Sequence, residues 1–147
     1  MQRMWRLLAA VLMFTAAACN TGRHSPAGFR LPEDGNLERG RTVFLEMQCH
    51  NCHEVDGQNL PQPAMQPAVP VRLGGEVARE LTDGYLVTSI IYPSYTLAHH
   101  SKDMIAAGGK SRMPDYADRV TARQLTDLVS YLQSSYVVRR PVAKYTF

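Results

Sequence analysis

The run Cys49-His50-Asn51-Cys52-His53 is the feature that most constrains this chain. Its two thiols are three positions apart and a histidine follows the second directly, so on one helical turn all three side chains project from the same face. Thiols at this spacing match the two vinyl groups along a haem edge, and the adjacent imidazole reaches the iron from the same side. The pattern C-x-x-C-H is typical of c-type haem attachment. The sequence therefore predicts one covalent haem c, held by Cys49 and Cys52, with His53 as an axial iron ligand.

Two other chemistries use cysteines at this spacing. Zinc requires four ligands, but placing two cysteines and two histidines from five consecutive residues on one ion would strain the backbone, and no second Cys/His pair completes the usual site. A thioredoxin-like dithiol requires a surrounding βαβ pattern, which the sequence lacks. Both are weaker alternatives to haem, and we expect His50 to be exposed rather than a ligand.

The first 18 residues have the organisation of an export signal. Arg3 and Arg6 precede an almost uninterrupted apolar run over residues 7–18. As a helix this run spans about 18 Å, which is too short for a hydrocarbon core of about 30 Å. We therefore predict a signal peptide over residues 1–18 and an exported protein.

Cys19 follows three alanines directly, an order that resembles the lipobox of bacterial lipoproteins, in which the cysteine is diacylated and becomes the new N-terminus. The alternative is ordinary signal cleavage nearby, which leaves a free thiol. The chain has three cysteines, so they cannot all form disulfide pairs, and lipidation would account for the remaining one. Residues 20–35 are polar and contain two prolines and three glycines. We predict a lipidated N-terminus and flexible tether over residues 19–35, which anchors the protein to a membrane and faces the periplasm.

Composition excludes several classes of protein. The formal net charge is +3, and removal of residues 1–18 leaves 14 basic and 13 acidic residues, so a nucleic-acid partner is not expected. Apolar residues make up 45% and charged residues 20%, which favours a folded domain over disorder. A length of 147 residues fits one domain plus a targeting segment.

Helical periodicity dominates the mature chain, and no sustained strand pattern is present, so the predicted fold class is all-α. Helices are predicted over residues 36–48, 82–91 and 121–134, and loops over residues 57–75 and 94–118. In the first helix one apolar face carries Leu37, Gly40, Phe44 and Met47. A glycine in a helix costs about 1 kcal/mol relative to alanine, so its presence there suggests a close approach of another helix.

The order of these features resembles the class I cytochromes c. Besides the motif, the resemblance is carried by Gly40, Phe44, Met113, Pro114, Leu128 and Tyr131. In that family the glycine, aromatic and leucine positions form the crossing of the first and last helices. The resemblance implies a cytochrome c domain over residues 36–135, with three to five short helices wrapped around one haem, and leaves residues 136–147 as a C-terminal tail.

The iron requires a ligand opposite His53, and we predict Met113. Its thioether is soft and neutral, and a methionine/histidine pair raises the reduction potential. It lies sixty residues after His53, and Pro114 stiffens the loop. The alternatives are the bis-histidine pair at His99 or His100, an open site, and the loop methionines Met65 and Met104.

By resemblance, the other ring nitrogen of His53 donates to a proline carbonyl in the following loop, for which Pro70 is the candidate. With both axial positions filled, the expected function is one-electron transfer between a respiratory membrane complex and a terminal reductase or oxidase. The partners are then transient redox proteins and the carrier is a monomer. The alternatives are a haem subunit fixed in a larger complex, with the tail as a docking strap, and a peroxidase-like or gas-binding protein with an open sixth position.

Overall fold

The computed structural model describes residues 29–64, 71–97 and 106–139. The three α-helices in these ranges are α1 (Leu37–Glu46), α2 (Asp83–Ile91) and α3 (Ala122–Ser134). The six strands are β1 (His53–Val55), β2 (Val71–Leu73), β3 (Gly75–Val77), β4 (Ala106–Ala107), β5 (Lys110–Ser111) and β6 (Tyr136–Val138). A 3-10 turn over Cys49–Asn51 connects α1 to β1. The predicted signal peptide and Cys19 lie outside the described residues.

Each helix begins where the sequence predicted, because each has a side-chain cap. Asn36 Oδ1 accepts the N–H of Arg39 at 2.9 Å at the start of α1, and Thr82 caps α2 in the same way. Thr121 and Gln124 form the predicted capping box of α3. These caps satisfy N–H groups that have no partner within the first turn of a helix.

The all-α expectation is correct for these helices but misses three short two-stranded ladders. β1 pairs with β2 and β3 with β6 in parallel, whereas β4 and β5 form an antiparallel hairpin. Strands of two or three residues are too short to show an alternating pattern. β2 and β3 therefore lie at the end of a proline-rich segment that the sequence predicted as loop, and β6 lies in the predicted tail.

The crossing of α1 and α3 forms the centre of the fold. A Cβ atom on Gly40 would lie 2.1 Å from the Asp127 carbonyl oxygen and 2.6 Å from Tyr131 Cβ. The rings of Phe44 and Tyr131 pack with centroids 5.7 Å apart. This confirms that the glycine permits close helix approach. Leu37, which was predicted on the same apolar face, is 49% exposed.

A buried carboxylate fastens the start of α1 to α3. Asp127 is 2% exposed and accepts hydrogen bonds from Arg39 Nε at 2.7 Å, Arg39 Nη2 at 3.0 Å and the N–H of Asn36 at 2.7 Å. The Arg39 hydrogen bonds hold the pKa of Asp127 below its ordinary value. Because Arg39 itself is about half exposed, water screens the ion pair from one side.

The core continues from this crossing to α2 and to the chain that precedes α1. Its buried apolar residues are Leu31, Val43, Phe44, Val55, Leu86, Val87, Ile90, Tyr116, Leu125, Leu128, Val129, Tyr131 and Leu132. Leu31 was predicted to lie in the tether, so the last residues of that segment belong to the folded domain. Among the described residues, no helix has both the length and the apolar composition of a membrane span.

Candidate functional site

The attachment motif begins where the backbone forces α1 to end. Gln48 adopts a left-handed conformation (φ 59°, ψ 26°), and the helix ends at Glu46 rather than at Gln48 as predicted. A non-glycine residue in this region costs on the order of 1–3 kcal/mol, and such residues cluster at functional sites. The chain then enters the 3-10 turn, in which the N–H of Cys52 donates to Cys49 O at 3.1 Å. The prediction of a single α-helical turn across the motif is therefore wrong, because His53 already begins β1.

The two motif thiols differ in their surroundings. Cys49 is half-buried and packs against the core, whereas Cys52 is exposed. Burial, with a smaller contribution from the neighbouring Cys52, raises the pKa of the Cys49 thiol to about 11. Neither cysteine forms a disulfide with another described residue. Both sulfur atoms are thus available for thioether bonds, one inside the fold and one at its surface.

The imidazole of His53 is oriented by a backbone carbonyl. His53 Nδ1 lies 3.2 Å from Val71 O, and a carbonyl oxygen only accepts, so Nδ1 carries the proton in this hydrogen bond. Burial lowers the pKa of His53, with an opposing contribution from the hydrogen bond to Val71. A neutral ring protonated at Nδ1 keeps the lone pair of Nε2 for a metal, which is the usual arrangement of a histidine ligand.

The pairing of β1 with β2 explains which carbonyl is used. His53 is the register partner of Val71, and the N–H of Val71 donates to Cys52 O at 3.0 Å. The predicted acceptor, Pro70, is the preceding residue and lies outside the described residues. The acceptor that the structure shows is therefore the carbonyl of Val71.

Met113 lies in the segment between β5 and α3 and is half-buried against the core. Tyr116, three residues later, is buried, and its hydroxyl donates to Met47 O at 3.1 Å. Burial, followed by the effect of the Cys49 thiolate, raises the pKa of Tyr116. The segment that carries Met113 is thus attached to the residues that lead into the motif.

The other predicted sixth ligands lie outside the described residues, namely His99, His100, Met65 and Met104. Met47 packs against the core. Sequence reasoning did not identify Val71 or Tyr116 as part of the site. The pairing of Val71 with His53 leaves no local signal in the sequence. Tyr116 does leave one, because it is an aromatic residue in an otherwise polar segment just after Met113.

A cavity of about 350 Å³ lies beside the motif. It is lined by residues 50–63 and by Arg72. His50 was expected to be exposed but is half-buried, and its Nδ1 atom is buried without a hydrogen-bond partner among the described residues. The expectation that His50 is exposed is therefore wrong, since His50 is one of the residues that line this cavity.

The donor set fits a covalently attached haem. Two thiols outside any described disulfide stand at the required sequence spacing, and the neighbouring imidazole is oriented through Nδ1. Within the described ranges, no group of three or more His, Cys, Asp or Glu side chains is placed to hold a metal ion.

Comparison with known proteins agrees with this donor set. A family model described as Cytochrome c matches residues 37–135, about two thirds of the chain. Searches of the curated proteins and of the solved structures gave no match. The matched segment begins with the first residue of α1 and ends one residue after α3. It therefore includes the motif, Met113 and the helix crossing.

Proposed function

Because the chain belongs to the cytochrome c family, whose members carry covalently attached haem c and transfer electrons through it, we propose that it is a membrane-anchored monohaem electron carrier. It passes single electrons between a respiratory membrane complex and a terminal reductase or oxidase on the outer side of the cytoplasmic membrane. The proposal depends on one observation. Cys49, Cys52 and His53 lie within the domain that the family model matches, and the imidazole of His53 is oriented by Val71 O. The haem supplies the one-electron chemistry, and the chain sets its potential.

In this proposal Cys49 and Cys52 would form the thioether bonds, and His53 and Met113 would bind the iron. Two observations support Met113: it is half-buried against the core, and the hydroxyl of Tyr116 attaches its segment to the residues before the motif. With both residues bound, oxygen and substrates would be kept from the iron. Electron exchange through the haem edge then requires only small, transient contacts with partners.

The anchor in this proposal is a lipid on Cys19. The support comes from the sequence, in which a basic start, an apolar run and three alanines precede that cysteine. Two or three acyl chains hold a protein firmly, since each buried methylene contributes about 0.8 kcal/mol. The lipid keeps the carrier at the surface where membrane complexes expose their electron-transfer sites.

The first residues of the C-terminal segment are used within the domain itself. β6 (Tyr136–Val138) pairs with β3 (Gly75–Val77), and the N–H of Arg139 donates to Val77 O at 2.9 Å. This part of the tail is therefore engaged with its own chain, which favours the free carrier over a subunit that uses the whole tail as a docking strap.

A visible spectrum of the purified, reduced protein tests the cofactor, and Met113→Ala tests the ligand. We expect Met113→Ala to lose the sulfur-to-iron charge-transfer absorption of the ferric protein and to lower its reduction potential. Met47→Leu is the matched control, because it replaces a methionine that packs against the core and should keep the absorption. Colourless wild-type protein would refute haem binding, and an unaltered spectrum in Met113→Ala would place the ligand elsewhere. High-spin wild-type iron would favour the open-site alternative.

The location is tested separately by Cys19→Ser. We expect this variant to move from the membrane fraction to the soluble periplasmic fraction with its haem content unchanged. Continued membrane retention would contradict lipidation, and co-purification of wild-type protein with stoichiometric partner chains would favour the fixed-subunit alternative.

A further inference from the structure

Met113 lies between two points at which its segment is attached to the rest of the fold. On the upstream side, the backbone N–H of Ser111 donates to Ser94 Oγ at 3.1 Å, and Ser111 Oγ accepts the N–H of Met113 at 3.1 Å. On the downstream side, the Tyr116 hydroxyl donates to Met47 O at 3.1 Å. Each contact involves a side-chain hydroxyl, so each can be removed without changing the backbone.

The two attachments lead to different parts of the molecule. Ser94 lies in the turn after α2, so the upstream hydrogen bond joins the methionine segment to the turn that follows that helix. Met47 is the C-terminal cap of α1 and lies two residues before Cys49, so the downstream hydrogen bond joins the segment to the start of the attachment motif. Five residues of extended chain span at most about 18 Å, which limits how far Met113 can move while both ends are held.

The hydrogen bond between Ser111 Oγ and the N–H of Met113 is local and fixes the backbone immediately before the thioether. A hydroxyl that accepts an N–H two residues later forms a compact turn. Ser111 also pairs with Ala106 in the β4–β5 hairpin, so the turn directly follows a paired strand. The backbone at Met113 is therefore held by a short turn, with one attachment before the methionine and one after it.

We propose that Ser94, Ser111 and Tyr116 are positioning residues that keep the Met113 sulfur on the iron. This inference rests on the proposed function, in which Met113 is the axial ligand. A thioether is neutral, so no charge attraction strengthens its bond to ferric iron. We therefore expect competing ligands to displace it more easily when its segment is free to move. Outer hydrogen bonds of this kind commonly tune metal ligands.

The experiment measures how readily imidazole displaces the methionine of the ferric holoprotein. Ser111→Ala, Ser94→Ala and Tyr116→Phe each remove one hydroxyl, and the net contribution of a typical hydrogen bond predicts about a fivefold gain in imidazole affinity for each. The double variant Ser111→Ala/Tyr116→Phe is expected to gain about 25-fold if the two attachments act independently. The charge-transfer absorption is expected to disappear at lower temperature in every one of these variants.

The matched control is Ser89→Ala, since Ser89 Oγ donates to Tyr85 O, a hydrogen bond that is internal to α2. We expect it to match wild type in imidazole affinity. Haem content and far-ultraviolet circular dichroism should be unchanged in every variant, which separates positioning from general destabilisation. If Ser111→Ala and Tyr116→Phe both behave like Ser89→Ala while Met113→Ala loses the absorption, the positioning role alone is overturned. If Met113→Ala itself changes nothing, the ligand assignment fails and the positioning role fails with it.

Discussion

Replacement of Gly40 by alanine tests whether the close approach of α1 and α3 is needed for the fold. The added Cβ would lie 2.1 Å from the carbonyl oxygen of Asp127, 2.7 Å from its carbonyl carbon and 2.6 Å from Tyr131 Cβ. Two of these three atoms belong to the α3 backbone, so no flexible side chain can turn away to make room. Ordinary contact begins at 3.4 Å, and the helices must therefore separate locally by about 1.3 Å.

The expected change in the free energy of unfolding is the difference between two opposing contributions. Overpacking of a well-packed interface costs about 1–3 kcal/mol, and a clash with backbone places Gly40→Ala near the upper end. Alanine returns about 1 kcal/mol through its higher helix propensity. The net loss of unfolding free energy is then about 2 kcal/mol, which lowers the melting temperature of a domain of this size by about 8–16 °C.

The assay is thermal and guanidinium unfolding of the haem-loaded protein, followed by far-ultraviolet circular dichroism. Gly84→Ala is the matched control, because this glycine also lies in a helix but the nearest atoms to its added Cβ would be those of Phe29 at 3.7 Å, an ordinary contact. We expect that variant to be as stable as wild type or up to about 1 kcal/mol more stable. The reasoning about the crossing would be refuted if Gly40→Ala were as stable as Gly84→Ala.

Three further predictions follow from individual contacts. Asp127→Asn should cost about 1–2 kcal/mol at neutral pH, because it removes the carboxylate that accepts from the half-exposed Arg39. Since that hydrogen bond lowers the pKa of Asp127, the contribution is complete above about pH 4 and is lost as the pH falls through the lowered value. Guanidinium unfolding should therefore show the two proteins converging in acid, and a constant difference down to pH 2 would contradict this. Cys52→Ala should leave at most one thioether, and a mature protein with two by mass spectrometry would disprove the assignment. Thr121→Ala should cost about 1 kcal/mol through loss of the α3 cap, whereas Thr121→Ser should not; equal loss in both would exclude a capping effect.

The helices were predictable because their determinants are local. The caps at Asn36, Thr82 and Thr121 and the apolar stripe of α3 are all contained within one or two turns of sequence. Gly40 was also informative, since a glycine on the apolar face of a helix indicates that something must approach closely there. These features account for the three helices of the domain.

The ladders and the details of the site were not predictable in the same way. β1 and β2 pair across 18 residues, and β3 and β6 across about 60, so neither pairing leaves a pattern in a short window. The left-handed backbone of Gln48 could not be expected either, because the residue has no turn-forming side chain. The haem c cofactor predicted from the motif agrees with the family match, whereas the local structure predicted for the motif was wrong.

The two sides of the proposed haem site depend on different kinds of interaction, and this difference has a functional consequence. The attachment side is contiguous in sequence, so Cys49, Cys52 and His53 remain close together whatever happens elsewhere in the chain. In the proposed function the second ligand, Met113, lies sixty residues further along the chain, and its segment is held by one hydrogen bond that Ser94 Oγ accepts and one that the Tyr116 hydroxyl donates. Mild perturbation should therefore release the methionine before it affects the thioethers or the histidine. A carrier built in this way keeps its cofactor under stress while its potential falls, so loss of electron transfer would precede loss of haem.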